Sequence, residues 1–251
     1  MENLYDNLLE YYDELFPVEP ARVSFIEALA RKTVAGRTDA GSRVKVLDVG
    51  CATGTFALAL MRLGMDVTGI DLNSAMIQSA CRRNPEPRTN ARFFCMDMLE
   101  IGSTFAAGRF DLCLCLGNTL VHLDGPKSIS RFLKQVRQVV RPGGAFVFQV
   151  VNYERVAAEG LTRLPTIESP RARFEREYRK RDDGRISFEA TIFSSSEQPV
   201  FRDRVALYPA TPVELVELLH QAGFEKVDLY DDFSGDTMRG NSLGVVGVAV
   251  R

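Results

Sequence analysis

Apolar residues along this chain recur with two spacings, and the switches between them mark out its elements. Leu4, Tyr5, Leu8, Leu9, Tyr12, Leu15 and Phe16 fall at helical spacing, which predicts an amphipathic helix over residues 1–16, ended by Pro17 and Pro20. A second helix spans 21–33, with Val23, Ile26, Leu29 and Ala30 on one stripe, and residues 36–42 make a polar turn. Short apolar runs then alternate with helical stretches. Strand 44–49 leads to helix 55–63, strand 66–71 to helix 73–83 with Asn73 or Ser74 as its cap, and Asn84-Pro85-Glu86-Pro87 is a stop. Strands 91–97 and 110–116, helix 126–140, a turn at Arg141-Pro142-Gly143-Gly144 and strand 145–151 follow. Strands and helices alternating at this interval argue a parallel sheet covered by helices on both faces.

After Asn152 the pattern changes. Residues 153–170 read as irregular, with Pro165 and Pro170, and three strand-like runs follow at 172–181, 185–195 and 200–208. Asp183-Gly184 between the first two is a hairpin signal. Thr211 then caps helix 212–222, with Pro212 in its first turn and Gly223 as its stop, before strands 226–231 and 243–250. A parallel crossover takes roughly a dozen residues, so the short Gly-rich link 233–242 makes the last strand antiparallel to its neighbour. The expected fold is α/β: a seven-stranded, mostly parallel, doubly wound sheet with an antiparallel last strand, plus a small antiparallel β insertion. The corresponding units are an N-terminal helical cap (1–40), a Rossmann-like domain (41–152 and 209–251) and an insertion or substrate lid (153–208).

Composition narrows the partners. A chain of 251 residues with 45% hydrophobic and 25% charged residues has globular proportions. No run reaches the roughly 18 apolar residues of a membrane span, and the acidic start lacks a signal peptide's pattern, so the expected compartment is the cytoplasm. Five cysteines without a C-x-x-C pair read as buried free thiols, and with two histidines no metal site is expected. A net charge of −2 shows no global footprint for nucleic acid. The basic stretch 171–181 interleaves aromatics but carries Glu175 and Glu177. Its charges are expected to pair across strands or face solvent, or one arginine turns inward to hold an acidic group of a substrate.

The candidate chemistry centres on Val46-Leu47-Asp48-Val49-Gly50-Cys51-Ala52-Thr53-Gly54. This is a strand, a tight turn and a helix start, with Gly50 and Gly54 free to take positive φ and the helix N-terminus offering N–H groups. Asp71, at the end of the next strand, stands where a ribose-binding carboxylate belongs. An NAD(P) site wants G-x-G-x-x-G, and the spacing here differs.

With Asp97 after the third strand and Arg141-Pro142-Gly143-Gly144 before the fifth, the chain resembles the class I S-adenosylmethionine-dependent methyltransferases. Their acid-x-Gly-x-Gly-x-Gly motif is met by residues 48–54, with Ala52 for the middle glycine. The segment 116–123 and the insertion look like the glycine and sarcosine N-methyltransferase type. The resemblance implies S-adenosylmethionine as cofactor, contacted by Gly50, Cys51, Ala52 and Gly54. Asp71 and Leu72 would meet the ribose, Asp97 and Met98 the adenine, with Leu116 and Tyr12 beside them. Asp48, inside its strand, is expected to hold the loop by hydrogen bonds. Asn118, His122 and Tyr5 are expected at a small-molecule acceptor, the two tyrosines through their π faces.

The sulfonium methyl is already activated, so transfer asks mainly for an acceptor about 3 Å away and in line. A base is optional, and no residue is assigned as one. The reading is methyl transfer to a nitrogen or oxygen of a small molecule. A cofactor-binding sensor or partner subunit without catalysis, and an RNA or protein methyltransferase, stay open as rivals, as does a homodimer.

Overall fold

The protein is described from a computed structural model covering residues 2–35, 41–84, 90–194 and 198–251. Most of the polar turn at 36–42, the prolines of the stop after Asn84, and Ser195 lie outside those residues. At the N-terminus the expected single helix is two, α1 (Glu2–Leu8) and α2 (Tyr12–Leu15), followed by α3 (Pro20–Val34). The break at Leu9–Tyr11 re-aims the chain, and Tyr11 closes α1 by donating to the Leu8 carbonyl at 3.0 Å. Leu4, Leu8 and Leu15 are still all buried.

The alternation then proceeds as β1 (Lys45–Val49), α4 (Thr55–Arg62), β2 (Asp66–Asp71), α5 (Ser74–Arg83), β3 (Ala91–Cys95), α6 (Ile101–Thr104), β4 (Phe110–Cys115), α7 (Pro126–Val139) and β5 (Val140–Val151). Next come α8 (Tyr153–Ala158), β6 (Arg163–Glu168), β7 (Ala172–Lys180), β8 (Ile186–Ser194) and β9 (Pro199–Leu207). The chain closes with α9 (Pro212–Gln221), β10 (Lys226–Tyr230) and β11 (Gly244–Val250).

The seven-stranded sheet has the order β10-β11-β5-β4-β1-β2-β3. Only β11 is reversed, pairing antiparallel with both β10 and β5. β4 is buried along its whole length, and α7 lays Ile129, Phe132, Leu133, Val136 and Val139 on the sheet at helical spacing. Each phenylalanine so buried contributes roughly 1.5–3 kcal/mol. α9 starts as its sequence predicts: the Thr211 hydroxyl accepts from Glu214 N at 3.2 Å and Pro212 opens the helix.

Three further expectations need correcting. Arg141–Gly144 is not a turn before the fifth strand but an irregularity inside β5, where Phe110 pairs with Val140 and Leu112 with Ala145. Asp111 fixes it, accepting from Lys45 N at 2.7 Å and from Arg141, whose guanidinium also donates to the Thr33 carbonyl at 2.6 Å. The insertion sheet has four strands, β6-β7-β8-β9, because the stretch read as irregular supplies α8 and β6. Outer-face charges do pair, as in Arg173–Glu175 and Arg179–Glu189, both 3.1 Å. Of the cysteines, Cys51, Cys113 and Cys115 are buried, but Cys81 and Cys95 are exposed. Among the described residues no helix is long and apolar enough to cross a membrane.

Candidate functional site

The strand order reverses between β1 and β4, which opens a crevice at their C-terminal ends, the usual ligand position in such sheets. A cavity of about 550 Å³ lies there, floored by the loop after β1 and roofed by α1 and α2 through Tyr5 and Tyr12. A shallow groove of about 710 Å³ on the outer side of α7, lined by Lys127, Arg131 and Lys134, reaches none of the strand-end acids.

The loop is built so that backbone approaches backbone. Gly50 has φ +75°, and a Cβ there would stand 2.6 Å from Thr119 Cγ2 and Oγ1. Gly54 has φ +75° as well, and its Cβ would meet Ala80 and the Phe93 ring at 2.8 Å. Ala52 takes the left-handed conformation (φ 46°) that a middle glycine would adopt freely.

Four N–H groups of the loop are used within the protein. Gly50 N and Cys51 N both donate to the Ile70 carbonyl, at 2.8 and 3.0 Å. Gly54 N donates to the Cys51 carbonyl at 2.9 Å, and Ala52 N to Asp71 Oδ2 at 2.9 Å. Asp71 Oδ1 accepts from Asn73 N at 2.9 Å. Asp71 therefore staples the loop to the start of α5, the task expected of Asp48. Burial raises the Asp71 pKa, and the backbone donors oppose that rise. With two bonds accepted, the carboxylate keeps lone pairs for ligand hydroxyls.

Asp48 is 4% exposed, and its carboxylate makes no hydrogen bond to a described residue. Burial pushes its pKa up to about 7; nearby Arg22 opposes the shift and Asp71 adds to it. Asp97 caps a 3-10 turn at Met98–Glu100, its Oδ1 accepting from Leu99 N at 2.8 Å. Met76, Met96, Met98 and Leu99 form an apolar wall beside it.

On the β4 side, Tyr5 Oη and His122 Nε2 share a hydrogen bond of 2.8 Å, their rings edge to face. Burial lowers the His122 pKa to about 4, so the imidazole is neutral at ordinary pH. Burial also raises the Tyr5 and Tyr12 phenols, keeping both protonated. The roof is pinned by Thr53 Oγ1 donating to Asp13 at 2.5 Å, by an Asp13–Arg83 ion pair, and by Asn73 Nδ2 donating to Asp6 at 2.8 Å.

Of the residues expected from sequence, the cavity gathers Gly50, Ala52, Asp71, Leu72, Asp97 and Met98, together with Tyr5, Tyr12 and His122. Asp48, Cys51, Gly54, Leu116 and Asn118 are not among its lining. Asp48 is turned into the interior of β1, and Gly54 is packed under Phe93. The Cys51 sulfur points to Gly69, where a Cβ would meet it at 2.9 Å, and Leu116 packs in the same core. Asn118 has φ 67°, which directs its amide to Val151 N and the Tyr153 hydroxyl, both at 3.0 Å. The reading missed Met76, Thr119, Leu123, Asp124 and Ser128. Met76 was within reach, being the third residue of the helix that follows Asp71; the others follow from packing alone.

Residues 46–144 match the family described as Methyltransferase domain. The matched stretch runs from β1 into β5, so this part of the chain is similar to a methyltransferase domain. It is 32% identical over 135 residues to the ubiquinone biosynthesis O-methyltransferase of Coxiella burnetii, covering 54% of this chain and 51% of that one. The chain thus spans about half the length of such curated relatives. It is 23% identical over 250 residues to the glycine/sarcosine N-methyltransferase of Halorhodospira halochloris, covering 92% and 82%. An S-adenosylmethionine-dependent methyltransferase from Clostridium acetobutylicum superposes with a TM-score of 0.79 at 17% identity, covering 99% of both chains. That likeness shows the fold, with the seven-stranded sheet and the insertion together.

Proposed function

We propose that the protein transfers a methyl group from S-adenosylmethionine to a nitrogen or oxygen of a small molecule. The observation that carries this reading is the loop after β1. Its N–H groups at Gly50, Cys51, Ala52 and Gly54 are bonded internally, that of Ala52 to Asp71, which ends β2 and lines the cavity, and this suits a nucleoside without phosphate. Asp71 would take the ribose hydroxyls, the methionine-rich wall the adenine, and the backbone at Gly50 would lie along the rest. S-adenosylmethionine, when bound, supplies a methyl on a sulfonium sulfur that leaves as a neutral thioether.

The protein's own part is placement and exclusion of water. Tyr5 and Tyr12 close the roof, and their rings present electron-rich faces to positive charge. The acceptor gains the methyl carbon and gives up one proton. With Nε2 donating to Tyr5 Oη, Nδ1 of neutral His122 can receive a hydrogen bond from an acceptor N–H or O–H, but its weak basicity makes it a positioning group more than a proton store. Relatives named for O- and for N-methylation support either acceptor atom.

Isothermal titration with S-adenosylhomocysteine is the test. Binding is expected, weakened about tenfold or more in Asp71→Ala, whose carboxylate would otherwise take charge-assisted hydrogen bonds. No binding at millimolar ligand would overturn the proposal. A screen of amines, amino acids and phenols then separates turnover from binding alone.

A further inference from the structure

Helix α7 carries charge of one sign only. Its 14 residues include Lys127, Arg131, Lys134 and Arg137 and no acid, in a chain whose net charge is −2. Exposed arginines elsewhere find a counter-charge one helical turn away, as Arg31 does with Glu27 at 2.6 Å and Arg155 with Glu159 at 2.8 Å. Among the described residues, Lys127, Arg131 and Lys134 have no carboxylate within ion-pair distance. Arg131 reaches the Leu99 carbonyl at 3.5 Å, and Arg137 is spent on the Gly223 carbonyl at 2.8 Å. Like charges three and four residues apart on a helix repel, and Lys127 stands in the first turn, where the helix dipole disfavours a cation. An opposing row of negative charge would relieve both.

The three free cations form one wall of the groove of about 710 Å³ on the outer side of α7, and α9 supplies the other wall through Leu218 and Gln221. The charged side chains of α9 are acids, Glu214 and Glu217, so the positive charge is confined to one side. Pro126, Leu218 and the methylene stems of the cations give the groove an apolar seam. No aromatic side chain lines it, so it offers nothing on which nucleic-acid bases could stack. An acidic amphipathic helix fits both features. Cations at i, i+4 and i+7 stand about 6 and about 4.5 Å apart along the axis, the spacing of carboxylates at the same positions on a helix laid alongside. The apolar stripe of such a helix falls on Leu218. No described helix of this chain carries three acids, so a second copy has no such helix to offer.

The groove backs onto the wall of the cavity. Gln135, on the groove, donates through Nε2 to the carbonyl of cavity-lining Leu99 at 2.8 Å. Lys127, on the groove, is followed in the chain by Ser128, on the cavity. A protein seated on α7 and α9 therefore stands beside the cavity without covering the strand-end acids.

We propose that the groove between α7 and α9 docks an acidic amphipathic helix of a partner protein, held by Lys127, Arg131 and Lys134. The surface lies outside the cavity, and the proposal does not depend on the methyl-transfer reading.

The test titrates the full chain into a labelled helical peptide with glutamates at i, i+4 and i+7 and leucines along the adjoining stripe, followed by fluorescence anisotropy. A peptide with glutamine for glutamate and an oligouridylate are titrated beside it. Saturable binding of the glutamate peptide is expected, tighter than the glutamine peptide by about tenfold or more. Lys127→Glu combined with Lys134→Glu should weaken it by about tenfold or more and should bind the matching lysine peptide instead. Arg62→Glu combined with Arg82→Glu, the same change of charge on α4 and α5, should leave it unchanged. No saturable binding of the glutamate peptide at millimolar protein overturns the proposal, and so does an equal loss in the Arg62 and Arg82 variant. Tighter binding of the oligouridylate would make the groove a nucleic-acid surface and overturn it as well. Sedimentation of the chain alone tests the remaining occupant: self-association that the Lys127 and Lys134 variant abolishes would assign the groove to a second copy and overturn the proposal.

Discussion

Replacing Asp48 by Asn should stabilise the protein at alkaline pH and flatten its pH dependence. The unfolded carboxyl ionises near its ordinary value of 3.8, whereas burial holds the folded one at about 7. Between those values the folded state binds the extra proton, so stability falls as pH rises through the window and has lost its full share above about 7. A gap of about three pH units at 1.36 kcal/mol each makes that share about 4 kcal/mol. The carboxylate makes no hydrogen bond to a described residue, so an amide of the same shape gives up the charge and little else. Urea unfolding from pH 5 to pH 8 provides the assay. D48N should match the wild type at pH 5 within about 2 kcal/mol and exceed it most at pH 8. A variant less stable than wild type at pH 8, with the pH slope intact, would show that the ionised carboxylate is paired in the folded state and the reasoning wrong.

His122 predicts the opposite slope. With its pKa lowered to about 4 against an ordinary 6.5, acidification through that window should cost the folded state up to about 3 kcal/mol. In H122Q the acid limb should be shallower in the same urea series; an identical limb would mean the imidazole is solvated. Gly50→Ala combines left-handed strain of about 1–2 kcal/mol with a Cβ placed 2.6 Å from Thr119, so it should destabilise and weaken S-adenosylhomocysteine. Adding Thr119→Ala should restore part of the loss, and strict additivity of the two changes would refute the contact.

Much of this was written in the pattern of apolar positions, for a physical reason. Sheet strands buried on both faces read as continuous apolar runs, as β4 does, and helices on them carry one stripe, as α7 does. Strand-end acids were legible because the fold puts the C-terminal ends of parallel strands at one crevice, so Asp71 and Asp97 needed only the strand assignments. β6 escaped because it is an edge strand that contains Pro165 and buries no residue fully, so no alternation marks it. Asn118 was chosen for its nearness to the end of β4, but its left-handed backbone turns the amide away from the cavity. Asp48 was given the loop because it opens the motif. A strand residue inside a sheet faces a core layer, and of the loop donors Ala52 N turns to Asp71 while Gly50 N and Cys51 N turn to the Ile70 carbonyl.

The fastening of the roof over the cavity can be apportioned. Arg171 reaches from the insertion to Glu14 at 2.6 Å and Glu10 at 3.3 Å, but these pairs are solvent-exposed and salt screens them. The larger share comes from Leu4, Leu8 and Leu15, each 1–2% exposed in the same core cluster as Phe174 and Tyr178. A roof held mainly by apolar contact should stay shut as ionic strength rises. Hydrogen exchange of the Tyr5 and Tyr12 amides should therefore be unaffected by molar salt. Leu8→Ala, a buried truncation costing about 2–5 kcal/mol, should instead speed exchange across α1 and α2 and weaken S-adenosylhomocysteine. If salt alone opened those amides, the ion pairs would be the latch. The link between the insertion and the roof would then be electrostatic, and the apolar cluster a bystander.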